Sequence, residues 1–385
     1  MKKAGLILPA SIFIIICWGF TIYNAGHTDW TLSGFKKADQ FNPILEALNS
    51  KFEDPILKKE VLWDEKDVFN PAVVVKDNKI WMLFRAEDKI GKYAGTSRIG
   101  LAESEDGIHF TRHRSPVLFP DNDDQKKYEW EGGCEDPRVV EDENGNYVMT
   151  YTAYDGDKAR LMVATSKDLQ KWEKHGHAFS KAENGKYVNT WSKSGAIVSR
   201  YKSNGKIVAA KINGKYWMYW GDTFLWTATS EDLINWTPVQ MASGERITAS
   251  AEISATYPEL KIALAPRKGK FDSDLVEPGP PAMLTEKGIL LIYNSRNVLS
   301  KGDSSLKEGT YAASQALFDK NDPTKLIQRM DKYFIKPDKP YEIEGQVNEV
   351  CFLEGLARFK NKWFLYYGTA DSKIAVAVSD ADLKK

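Results

Sequence analysis

Three carboxylates stand apart from the other acids of the chain. Asp136 sits in "GGCEDPRVV", after Glu135 and directly before Pro137 and Arg138. Glu277 lies in "DSDLVEPGPPAML", a stretch rich in proline and glycine, and Glu354 follows the apolar run Cys351-Phe352-Leu353 and precedes Gly355. A carboxylate beside such a run is partly desolvated, which is costly unless it has a partner or a task. Cleavage of a glycosidic bond is a task that needs two carboxyl groups. One protonates the leaving oxygen, and the other handles water or the anomeric carbon. For any one of the three acids, a salt bridge or a turn cap is the competing explanation. Other chemistries lack their residues. His27, His109, His113, His175 and His177 show no HExxH spacing and no Cys/His cluster. There is no GxSxG elbow, P-loop or dinucleotide fingerprint either, so neither a metal nor a cofactor is expected.

Acids distant in sequence act together only if the fold converges them, and an internal repeat supplies the means. Five segments pair a turn with an aromatic-rich strand: "DNKIWMLF" from Asp77, "ENGNYVMTY" from Glu143, "NGKYWMYW" from Asn213, "EKGILLIY" from Glu286 and "KNKWFLYY" from Lys360. A second element follows several of them: "IGLAESEDGIHF" from Ile99, "LMVATSKDLQKW" from Leu161, "LWTATSEDLINW" from Leu225 and "IAVAVSDADL" from Ile374. Each is a strand of small and apolar residues leading to a Ser-x-Asp turn, most closed by Phe or Trp. Such units cannot bury both faces alone and stack around an axis. The expected fold is all-β, a five-bladed β-propeller spanning residues 27–385, with "FNPILEALNSKFEDP" from Phe41 forming a short irregular or helical N-terminal wrap. A β-sandwich is the alternative. Innermost strands point at a central channel, so Asp136 in the second blade can meet acids of the fourth and fifth.

The chain has 385 residues, with Lys+Arg and Asp+Glu both totalling 53, so no net charge draws it to nucleic acid. Its 12 Trp and 17 Tyr suit both sheet packing and sugar stacking. At the N-terminus, Met1-Lys2-Lys3 precedes an apolar run from Ala4 to about Tyr23, and Ala25-Gly26 offers a cleavage point. Residues 1–26 therefore read as a signal peptide or membrane anchor. Lipidation at Cys17 is a further option, although Ile16 is not the small residue such signals place there. The body is expected to be periplasmic or extracellular. Cys134 and Cys351 are expected to be free, buried thiols, near one another around the channel.

The motifs together resemble glycoside hydrolase family 130, the mannoside phosphorylases and mannosidases, from about Asn42 to Asp380. They are "VFNPAVVVKDNKIWMLFRAED" from Val68, "GCEDPRVV" from Gly133, "YVMTYTAYDG" from Tyr147, "EPGPPAMLTEKGILLIY" from Glu277 and "LYYGTAD" from Leu365. The resemblance implies a five-bladed propeller and makes Asp136 the general acid, its proton reaching the glycosidic oxygen through a mannose hydroxyl. It implies that Asn70, Arg85 and Asp371 hold the mannose, and that Arg138 orients Asp136 or binds sugar. The departures point to the acceptor. Where phosphorylases carry His-Arg-Pro-like and His-Gly stretches, this chain has Trp220-Gly221-Asp222 and Asn294-Ser295, which depletes a cationic phosphate cradle. Glu277 and Glu354 stand where phosphorylases have uncharged residues. The expectation is thus a hydrolase that releases mannose from β-mannosides, most simply β-1,2-linked, by inversion, with Glu277 and Glu354 activating water. A β-1,4-mannosyl-oligosaccharide phosphorylase and a non-catalytic sugar-binding propeller are the alternatives. The expected partner is a β-mannoside oligosaccharide.

Overall fold

All five turn-plus-strand segments form antiparallel strands, each the second strand of its sheet unit. The computed structural model describes residues 29–93, 95–242 and 257–380, and in it these strands are Lys79–Glu87, Tyr147–Tyr154, Lys215–Trp220, Ile289–Arg296 and Lys362–Thr369. The expected leader at residues 1–26 lies outside the described residues. Three of the turns place two consecutive residues at positive φ: Asp77-Asn78, Asn213-Gly214 and Lys360-Asn361. That backbone matches the twist of the flanking strands, and Asn, Asp and Gly adopt it at least cost.

The second shared element forms the third strands Ser97–Ser104, Ala159–Ser166, Leu225–Ser230 and Lys373–Ser379. In the first three units the serine hydroxyl donates to the turn aspartate: Ser104 to Asp106 at 3.0 Å, Ser166 to Asp168 at 3.2 Å and Ser230 to Asp232 at 3.1 Å. The closing tryptophans cap the same turns, Trp172 donating to the Leu169 carbonyl at 2.9 Å and Trp236 to that of Leu233 at 3.0 Å. The fourth unit has its third strand, Tyr311–Phe318, without the serine signature.

First strands are the most buried. Every residue of Gly133–Glu141 is buried, and Asp67–Lys76 and Cys351–Phe359 are nearly so. In the third and fourth units this strand is broken into short pieces, Ala196–Ile197 with Lys211–Ile212 and Leu275–Pro278 with Met283–Leu284. The fifth unit takes its outer strand from the other end of the chain, Lys36–Lys37 pairing antiparallel with Lys373–Ser379.

Each unit packs on the next through its own apolar cluster. Leu83, Ile99, Cys134 and Met149 join the first to the second, and Val140, Leu161, Ile197 and Met218 the second to the third. Tyr219 and Phe318 lie between the third and fourth, Ile292 and Leu365 between the fourth and fifth. Val73, Met82, Ala357 and Phe364 join the fifth back to the first.

Several buried acids serve this packing. Glu129 accepts from Tyr151 at 2.8 Å and Lys174 at 2.6 Å. Glu342 repeats the arrangement with Tyr367 at 2.9 Å and Lys37 at 2.6 Å. Asp272 does so with Tyr293 at 2.9 Å and Arg329 at 2.6 Å. A satisfied, paired carboxylate of this kind fixes an outer strand against an inner one.

Two expectations are corrected. The segment from Phe41 to Pro55 forms no helix: its end pairs as the hairpin Lys51–Asp54 with Lys59–Leu62, and Leu45 bridges Ile374. Asn42 also bonds the backbone of Val376 in both directions, so docking on the fifth unit overrides local helix propensity. The cysteines are free and buried, as expected. They do not share a cluster, however. Cys134 neighbours Glu129 and Lys174, whereas Cys351 neighbours Glu342 and Lys37.

Candidate active site

Local backbone distortion aims the site residues. The first strands of the first, second and fifth units each carry a register shift, between Phe69 and Pro71, between Glu135 and Arg138, and between Leu353 and Gly355. The side chains at these bulges are Asn70, Asp136 and Glu354. Asn70 and Asp136 take left-handed φ values of 49° and 47°. A bulge turns a side chain out of the alternation and towards a rim, and positive φ on a non-glycine residue persists only where surrounding packing enforces it. Proline follows Asn70, Asp136 and Glu277 alike, removing a ladder donor within each strand.

The cluster centres on Asp136, which is 2% exposed. Asn70 Nδ2 donates to Asp136 Oδ1 at 2.8 Å, and Arg85 Nη1 to the same oxygen at 3.2 Å. Lys193 Nζ lies 3.1 Å from Oδ2. Arg85 also pairs with Glu87 at 2.6 Å and Glu135 at 3.0 Å, and its guanidinium stacks 4.6 Å over Phe69. Lys193 reaches Glu277 Oε1 at 3.5 Å, and the Ser194 hydroxyl donates to that oxygen. Arg138 is consumed by the scaffold. It donates to the carbonyls of Gly279 at 2.8 Å and Pro278 at 2.6 Å, and pairs with Glu354 at 2.8 Å. It donates to the Asp136 backbone carbonyl at 3.3 Å, and its charge also favours the Asp136 carboxylate.

The electrostatics separate these acids. Burial opposes ionisation of Asp136, but Lys193, Arg85 and the Asn70 amide outweigh it and hold the group well below the usual carboxylate range. Burial pushes Glu135 up to about 7, with Arg85 opposing and Asp136 adding. It likewise pushes Asp371 up to about 7 against the pull of Arg85. Glu277 is raised by burial against Lys193, with Asp222 adding. Glu354 is raised well above the usual carboxylate range by burial, against the pull of the Arg138 guanidinium 2.8 Å away. Lys193 stays charged: burial opposes it, but Glu277, Asp136 and Asp222 hold its proton firmly.

The fold therefore brings Asn70, Arg85, Asp136, Glu277, Glu354 and Arg138 into one connected network, with Asp371 coupled electrostatically to Arg85 and Asp136. Sequence reasoning missed Lys193, Ser194, Glu87 and Glu135. No local signal marked Lys193, which lies just ahead of the first inner strand piece of the third unit, Ala196–Ile197. Among the described residues no group of His, Cys, Asp and Glu is arranged to hold a metal.

Comparison with known proteins now bears on this site. Residues 35–383 match a family model described as β-1,4-mannooligosaccharide phosphorylase. The chain belongs to glycoside hydrolase family 130. A relative from Thermoanaerobacter sp. (strain X514), 1,2-β-oligomannan phosphorylase, is 30% identical over 87% of this chain and 96% of its own length. A β-1,2-mannobiose phosphorylase of the same organism is 30% identical over 86% of this chain and 96% of its own length. A solved structure is 47% identical, with a TM-score of 0.85 over 91% of this chain and 94% of its own. It is described by the statement that the family of mannoside phosphorylases contains glycoside hydrolases that target β-1,2 mannosidic linkages in Candida mannan.

The family model and the relatives named by activity overturn the expected water-dependent hydrolase in favour of the phosphorylase alternative. The cationic cradle was judged depleted from two stretches alone, yet Lys193 brings a partly buried ammonium group to Asp136. Glu277 and Glu354 were treated as charges that repel phosphate, yet burial shifts both towards the neutral acid.

Proposed function

We propose that the five units close into a five-bladed β-propeller and that the Asp136 cluster cleaves β-mannosides with phosphate as the acceptor. Support for the closed ring comes from the packing of every unit on two neighbours and from the outer strand lent to the fifth unit by Lys36–Lys37. The observation that carries the acceptor is the Lys193 ammonium group, held between the proton donor and Glu277. A partly buried cation there neutralises an incoming dianion where water would need a base.

In this reading Asn70, Arg85 and Asp371 hold the hydroxyls of the terminal mannose. Asn70 Oδ1 is buried and has no donor among the described residues, which leaves it open to a sugar hydroxyl. Asp136 supplies the proton to the leaving oxygen, through a mannose hydroxyl. A phosphate oxygen attacks the anomeric carbon from the opposite face as the bond to the leaving sugar breaks. The products are mannose 1-phosphate of inverted configuration and a mannoside shortened by one unit. Phosphate binding draws Lys193 away from Asp136, so the resting carboxylate takes up a proton from solvent before passing it on. Glu277 holds the Lys193 ammonium group on the acceptor side, and Glu354 positions Arg138 beneath the site.

The test is turnover of β-1,2- and β-1,4-mannobiose with and without phosphate. Mannose 1-phosphate formed only when phosphate is present is the expected result. Free mannose released equally well in its absence refutes phosphorolysis, and binding without turnover refutes catalysis. The sequence of residues 1–26 supports a location outside the cytoplasm, secreted or tethered, which cell fractionation checks.

A further inference from the structure

A terminal-sugar pocket lined by buried groups leaves open where the remainder of a longer substrate lies. Three aromatic rings adjoin the Asp136 cluster and are not part of the hydrophobic core clusters. Trp191, 41% exposed, is two residues from Lys193, and Tyr93 is 39% exposed. Tyr154, half-buried, ends the strand that pairs with Gly133, two residues along from Glu135. The rings form a row. Tyr93 meets Tyr154 at 6.1 Å between centroids, and Tyr154 meets Trp191 at 6.5 Å.

The row is built in place. A Cβ on Gly132 would stand 2.3 Å from the Tyr154 ring, and one on Gly156 would stand 2.1 Å from the Tyr93 ring. Both tyrosines are thus seated on bare backbone. The Tyr154 hydroxyl donates to the Gly156 carbonyl at 3.1 Å, and the Trp191 indole N–H donates to Asp222 Oδ2 at 2.7 Å. Tyr257 secures the Trp191 backbone carbonyl through its phenol. Rings fixed this way lose little freedom when a ligand covers them. Their negative π faces suit the C–H faces of pyranose rings, and polar groups at their edges suit hydroxyls.

We propose that Tyr93, Tyr154 and Trp191 form a rail that binds the mannose units beyond the scissile bond and gives the enzyme a preference for longer β-mannoside chains. The inference rests on the β-mannoside reading above but is independent of whether phosphate or water accepts the sugar. Energy from units remote from the reacting carbon then contributes to kcat/KM in proportion to chain length.

Calorimetric binding of β-1,2-mannobiose and β-1,2-mannotetraose tests it without requiring turnover. The wild-type protein binds the tetraose more tightly. Trp191→Ala and Tyr93→Ala each shrink the tetraose-to-biose affinity ratio by about tenfold, the scale of one lost ring contact. Trp191→Phe recovers most of it, and circular dichroism confirms that each variant is folded. Equal affinities for the two sugars in the wild type overturn the rail, as does an unchanged ratio in both alanine variants. If the wild type binds neither sugar, the mannoside reading itself fails, which is a different result.

Discussion

Replacing Lys193 with methionine tests the charge arrangement on which the acceptor assignment depends. The ammonium group is 3.1 Å from Asp136 and 3.5 Å from Glu277. At such a distance a unit-charge pair is worth about 5 kcal/mol with an effective dielectric near 20. The lysine side chain keeps 18% of its surface exposed, so solvent screens part of this. A working figure is about 3 kcal/mol, within the range of about 2–5 kcal/mol found when one partner of a buried charge pair is truncated. Two consequences follow from that figure. Lys193→Met should lower kcat/KM for phosphate by about 10²-fold, since about 1.4 kcal/mol corresponds to each factor of ten. It should also raise the pKa of Asp136, by about two units for the same energy. Asp136 acts as an acid, so the pH above which the rate falls should move upwards in the variant. The assay is the initial rate of mannose 1-phosphate formation from β-1,2-mannobiose across phosphate concentration and pH, with Lys193→Arg as the charge-conserving control. An unchanged phosphate KM together with an unmoved pH profile would refute the reasoning. A rise in KM for the mannoside alone would place Lys193 on the sugar instead.

Asp136→Asn should cut turnover by about 10²- to 10⁴-fold while sugar binding survives, because an amide donates no carboxyl proton; a near-native rate on mannobiose would remove the residue from catalysis. Cys134 and Cys351 should react with a thiol reagent only after denaturation and without prior reduction, and prompt labelling of the native protein would contradict their burial. His177 is 4% exposed and held neutral, its pKa driven down to about 3 by burial, with Arg160 assisting. The unfolded chain therefore binds a proton below about pH 6.5 that the folded chain refuses. Stability should fall by about 1.4 kcal/mol per pH unit from there down to pH 3. Urea midpoints measured between pH 7 and pH 4 check this, and His177→Phe should flatten the slope.

The repeat was legible because it is local. Asp77-Asn78 and Asn213-Gly214 set hairpin turns through their own φ preferences, and Ser166-x-Asp168 closes a turn within three residues. Alternating aromatics mark the second strands wherever they fall, so the five units could be read from the chain alone. Asp136, Glu277 and Glu354 were also visible as acids beside proline, glycine or an apolar run, whereas Asn70 followed only from the family resemblance. The helix expected near Phe41 failed because Asn42 and Leu45 answer to Val376 and Ile374, more than three hundred residues away. Lys193 was invisible for the same reason, since an ordinary lysine in "TWSKSGA" gains its meaning only where the third unit meets Asp136 of the second and Glu277 of the fourth. The ionisation of Glu277 and Glu354 was likewise decided by assembly. Types and spacing identify which side chains can carry charge, but burial and neighbours decide which do.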